Sequence, residues 1–145
     1  MPMHIFKKEM NSLVLALFFV LLAQPAFSQN NQPEGKLMSK ITPAQAAEII
    51  ERHHDDPRFF ILDVRTLAEY EQGHIAGAKL MDSANPALEQ ELAKLERNAM
   101  YIVYCRSGRR SAQVVEKMQN LGFFSVYDLE NGLAQWSKEG FALEK

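Results

Sequence analysis

Two short apolar runs constrain this chain more than any other feature. Phe59-Phe60-Ile61-Leu62-Asp63-Val64 and Met100-Tyr101-Ile102-Val103-Tyr104 carry almost no polar interruption, so neither reads as a strand with one wet face. Runs of that length and β-branched or aromatic content are strands buried on both sides. Phe124-Ser125-Val126-Tyr127-Asp128-Leu129 is a third strand, and Ala78-Lys79-Leu80-Met81 a weaker fourth. Helix signals lie between them. Thr42-Pro43-Ala44-Gln45 and Thr66-Leu67-Ala68-Glu69 are capping boxes, the first with proline at the first helical position. Asn85-Pro86 opens a helix through Leu88, Leu92 and Leu95; another starts near Ser111 (Val114, Val115, Met118, Leu121) and ends at Gly122. A last one runs from Leu133 to Lys138 around Trp136. Strands alternating with helices predict an α/β domain, a parallel sheet covered on both faces. The 145 residues, 47% of them hydrophobic, suffice for one such domain. A net charge of −2 gives no electrostatic case for nucleic acid.

Residues 1–28 are expected to lie outside the fold. Lys7 and Lys8 precede an apolar run of 11 residues, Leu13 to Ala23, and Ala26 and Ser28 are small residues at the spacing of a cleavage site. That is the pattern of a secretory signal peptide cut after Ser28; a bilayer-spanning helix needs about 20 residues. The expected product is periplasmic or secreted, with no stable membrane association once the signal is removed. Residues 29–39 read as a polar leader or linker, and the domain as 40–145.

The single cysteine forms no intramolecular disulfide. In an oxidising compartment a lone thiol is either a small buried apolar group or a reactive one. Here Cys105 follows directly on a buried strand and opens the segment Cys105-Arg106-Ser107-Gly108-Arg109-Arg110 ahead of a helix. A loop from a parallel strand into a helix N-terminus lies where α/β folds bind ligands, with amides turned inward. Nearby cations and the helix dipole favour thiolate over thiol. Gly108 is expected to give a tight turn close to a ligand. The segment thus combines a nucleophilic sulfur with an anion-binding nest. His53-His54-Asp55-Asp56 is expected to be an exposed helix end with no metal, and Trp136 a core residue.

Cys105-Arg106-Ser107-Gly108-Arg109-Arg110-Ser111 resembles the active-site loop of rhodanese-domain sulfurtransferases. Asp63-Val64-Arg65 with Glu69-Tyr70, Gly73-His74-Ile75-Ala76-Gly77-Ala78, and Leu129-Glu130-Asn131-Gly132-Leu133 with Trp136 resemble that family's other signatures, in family order over about residues 40–142. The resemblance implies a five-stranded parallel sheet flanked by helices and a Cys105 that carries sulfane sulfur as a persulfide. It assigns Arg106, Ser107, Gly108, Arg109 and Arg110 to the surrounding loop, with Arg110 bracing it. Asp63, Arg65, Glu69 and His74 fall in a structural shell, where Arg65 and Glu69 pair with each other or with neighbours and His74 bonds in its turn. Asn131 departs from the glycine common there, but asparagine tolerates a left-handed backbone.

The expected activity is transfer of sulfur from thiosulfate, or a similar small anionic donor, to cyanide, a thiol or a protein acceptor, without cofactor or metal. A non-catalytic sulfur-carrier or partner-binding module is the alternative. A cysteine phosphatase or arsenate reductase is a weaker one, because those loops have five residues between cysteine and arginine. Here four separate Cys105 from Arg110.

Overall fold

The computed structural model describes residues 37–145. The expected signal peptide, residues 1–28, and most of the expected leader lie outside the described residues. The elements follow in the order β1 (Leu37–Ile41), α1 (Pro43–His53), β2 (Phe59–Asp63), α2 (Leu67–Glu71), β3 (Ala78–Leu80), α3 (Leu88–Ala93), β4 (Met100–Tyr104), α4 (Arg109–Asn120), β5 (Ser125–Leu129) and α5 (Gly132–Lys138). The five strands form one sheet in the order β1-β5-β4-β2-β3, and every pairing is parallel.

The alternation of side chains along β4 divides the interior into two cores. Tyr101 and Val103 pack with Leu88 and Leu92 of α3, Val114 and Met118 of α4, and Val126 of β5. Ile102 and Tyr104 face the other way, onto Ala46 of α1 and onto Leu133 and Trp136 of α5. Cys105 continues the odd-numbered series and joins the α3/α4 side. Both expected capping boxes form. The Thr42 and Thr66 hydroxyls accept from Gln45 N and Glu69 N, and the Gln45 and Glu69 side chains accept from the Thr42 and Thr66 amides.

Three boundaries stand out against the sequence reading. Helix α3 starts at Leu88, with Ala87 as its cap, rather than opening at Asn85-Pro86, and it ends at Ala93, before Leu95. Residues 37–39, placed above in the polar leader, belong to β1. This is an edge strand paired only with β5, and Ser39 and Lys40 break its apolar pattern as edge strands commonly do. Helix α4 starts at Arg109 rather than near Ser111, because its cap is Gly108, whose carbonyl accepts from Ala112 N. No helix among the described residues is long and apolar enough to cross a membrane.

Candidate active site

Strand β4 ends at Tyr104, and the chain then folds over its own sulfur. Cys105 Sγ accepts a hydrogen bond from Gly108 N at 3.1 Å. Gly108 has φ +87°, a left-handed turn open to glycine at little cost. Cys105 is 1% exposed, so the sulfur lies on the floor of the loop. Burial pushes the thiol pKa up, but the amides of Ser111, Ser107 and Arg110 and the Ser111 hydroxyl outweigh it, and the net shift is downward. The group is poised towards thiolate.

Amides face the sulfur because the loop's carbonyls are held on the far side. Leu133 N donates to Cys105 O at 2.8 Å, and Ala134 N donates to Arg106 O at 2.9 Å. The first turn of α5 thus fastens the loop by its own unpaired amides. The contact is close enough to require a residue without a side chain. A Cβ on Gly132 would lie 2.3 Å from Cys105 O and 2.8 Å from Arg106 C. Asn131 adopts φ 55°, the left-handed conformation expected of it. Gly108 also approaches this turn closely: a Cβ there would lie 3.3 Å from Asn131 N.

The three arginines separate by role. Arg110 donates to Glu69 Oε2 at 2.8 Å and Oε1 at 2.7 Å, tying α4 to α2. That ion pair, helped by the Thr66 amide, holds the Glu69 carboxyl well below its ordinary range, at about 2. Arg106 and Arg109 are exposed, as is Ser107, and among the described residues no carboxylate pairs with either arginine. A cavity of about 340 Å³ opens beside the loop, between Arg65, Glu69 and Gln72 on one side and Arg106, Leu133 and Ser137 on the other.

The shell behind the loop holds itself. Arg65 Nη2 reaches Asp63 Oδ2 at 2.6 Å and Gly73 O at 2.7 Å, and both Asp63 and Arg65 are buried. Arg65 and Glu69 therefore pair with neighbours and not with each other. His74 Nδ1 lies 3.1 Å from Tyr70 O, its ring stacks on Tyr70 at 3.8 Å, and its backbone bridges to Glu144. His54 contacts Asp55 at 3.0 Å in an exposed helix end.

Sequence reasoning misses the Gly132 clasp, because its partner lies a whole helix and strand earlier in the chain. It also misses Ser111 and Asp128. Ser111 is fully buried and donates its hydroxyl to Gly108 O at 3.2 Å.

The family model described as "Rhodanese-like domain" matches residues 42–139. Among curated proteins, a probable adenylyltransferase/sulfurtransferase, MoeZ, of Mycobacterium tuberculosis is 29% identical over 101 residues, 70% of this chain and 25% of that one. Thiosulfate sulfurtransferase 16, chloroplastic, of Arabidopsis thaliana is 36% identical over 89 residues, 54% of this chain and 74% of that one. The chain thus spans a quarter of the first relative's length. A crystal structure of a rhodanese-related protein from Thermoplasma volcanium superposes with a TM-score of 0.63 at 31% identity, covering 73% of this chain and 97% of that one.

Proposed function

The chain belongs to the rhodanese-like domain family, and from that premise we propose that it is a sulfurtransferase working through a persulfide on Cys105. The observation that carries this reading is the cradle around the sulfur, with Gly108 N at 3.1 Å and further amides lowering the thiol pKa. The Cys105 thiolate attacks the outer sulfur of thiosulfate. A new S–S bond forms to Cys105 as the bond to the central sulfur breaks, and sulfite departs with the electron pair. An acceptor nucleophile, cyanide or a thiolate, then attacks the outer sulfur of the persulfide. That S–S bond breaks, and its electron pair returns to Cys105 as thiolate. Donors aimed at developing charge are worth about 3 kcal/mol each in water-poor sites. Arg106 and Arg109, exposed and without carboxylate partners, draw the anionic donor to the loop mouth.

Loop length favours sulfur over phosphate. Four residues between Cys105 and Arg110 close the amides over the sulfur of a residue that is 1% exposed. One added sulfur atom fits a small ring of donors, whereas a tetrahedral oxyanion needs a wider one, and a displacement of about 1 Å costs about a hundredfold in rate.

Mass spectrometry of the intact protein after thiosulfate treatment is the direct test, with a mass gain of one sulfur expected on Cys105. Cys105→Ser should gain none and form thiocyanate only at background, because a hydroxyl without a base is a poor nucleophile. Wild-type thiocyanate production by Cys105→Ser, or Cys105-dependent turnover of aryl phosphates, would overturn the proposal.

A further inference from the structure

Asp128 is a carboxyl in a place where a strand would ordinarily hold a valine. It is 4% exposed, and its Oδ1 is the one fully buried side-chain polar atom among the described residues with no hydrogen-bond partner. Burying a carboxyl oxygen unpaired is costly, and such a group calls for a reason. Its position supplies one. Asp128 sits opposite Val103 in the β4–β5 register. Val103 lies two residues before Cys105 on the same sheet face, so carboxyl and sulfur share that face beneath the start of α4. Ser111, in the first turn of α4, stands between them. Its hydroxyl donates to Gly108 O, and it is near enough to the Cys105 thiol and the Asp128 carboxyl to pull the pKa of each down. A hydroxyl has one proton, which Gly108 O holds here, with the thiol and the carboxyl as rival acceptors.

We propose that Asp128 is a positioning residue for Cys105, its protonation deciding through Ser111 whether the hydroxyl proton is given to the carboxylate or to the sulfur. Ionised, Asp128 accepts the Ser111 proton and sets a second negative charge near the thiolate. Protonated, it donates to Ser111 Oγ, and the Ser111 proton turns to the thiolate. Thiolate is thereby assisted in mild acid and opposed once the carboxyl ionises, which flattens its dependence on pH. Burial raises the Asp128 pKa, with Ser111 and the Lys40 charge acting against it. Two acids on one sheet face that share a hydroxyl neighbour titrate as an interacting pair. The charged groups around the pair are Lys40, opposite Asp128 on β1, and Arg110, which interacts with Cys105 and is tied to Glu69 of α2.

The inference rests on the reading of Cys105 as nucleophile only for its consequence, so it is tested without a sulfur donor. The ultraviolet absorbance of the thiolate, followed against pH, reports one cysteine after subtraction of the Cys105→Ser curve. Asp128→Asn keeps the shape and donates to Ser111 at every pH; it should lower the thiolate midpoint by about one unit. In a Ser111→Ala background the same substitution should give a clearly smaller shift, that of the lost carboxylate charge alone. Asp128→Ser, uncharged but still polar, is the second variant if the first does not fold, with the same expected direction. A variant curve that overlays wild type, or an equal shift in the Ser111→Ala background, would overturn the proposal. A shifted titration without persulfide formation would instead sink the sulfurtransferase reading and leave the coupling standing.

Discussion

At Gly132 a single missing side chain decides the geometry of the reactive loop. A Cβ there would lie 2.3 Å from the Cys105 carbonyl oxygen, which backbone on both sides holds in place. Gly132→Ala should therefore cost about 3–5 kcal/mol, part from the clash and part from a left-handed φ of 57°. A fall in Tm of about 10 °C or more is the expected reading by calorimetry. The loop that remains should have a thiol pKa closer to the ordinary value, because its amides no longer point inward. The sequence shows why some of these residues are legible and others not. Cys105 and its arginines are conspicuous as a cluster of unlike chemistry at one junction, and Asn131 announces a left-handed turn by its type. Gly132 looks like any turn glycine, since its contact is with distant backbone. Asp128, in a strand, looks like a polar residue facing solvent, and only the register with Val103 places it inside.

Among the elements, α2 and α4 are joined at one point by Glu69 and Arg110, and that pair titrates. With a folded pKa of about 2 against an ordinary 4.5, Glu69 stabilises the fold fully above pH 4.5, and the contribution is lost as pH falls through 2. Side chains about a third exposed are partly screened, so the pair is worth about 1–2 kcal/mol. Arg110→Ala should lower Tm by a few degrees at neutral pH, with the gap to wild type closing between pH 4.5 and 2 in a series of thermal melts. Arg106→Ala and Arg109→Ala should leave Tm unchanged and weaken thiosulfate use, each by about tenfold for one lost charge-assisted contact. Equal melting temperatures for all three variants would contradict this division. The helices and inner strands were readable because capping boxes and unbroken apolar runs are local signals. The edge strand β1 was not, because its Leu-Met-Ser-Lys-Ile pattern gains meaning only beside β5. The start of α4 shifted for a related reason, as a left-handed glycine caps it and no side chain marks the position.

For the whole molecule, the sequence reading of an exported, cleaved precursor bears on residues outside those described, and we propose it on the Lys7-Lys8, apolar-run and Ala26/Ser28 pattern. N-terminal sequencing of the protein from an extracytoplasmic fraction should begin at Gln29, and recovery of the uncut chain from membranes would refute it. The pairing of β1 with β5 has a further consequence, for the order in which such a chain matures. The first strand made has for its neighbour the last, so the sheet closes only when both have emerged. The clasp comes later still: Leu133 and Ala134, which hold the carbonyls of Cys105 and Arg106, follow β5. Until that final helix docks, the carbonyls of Cys105 and Arg106 lack these partners, and the loop is held over the sulfur less firmly. The final shape of the reactive loop therefore waits on the last helix of the domain, so the site is completed by the end of the chain that is made last.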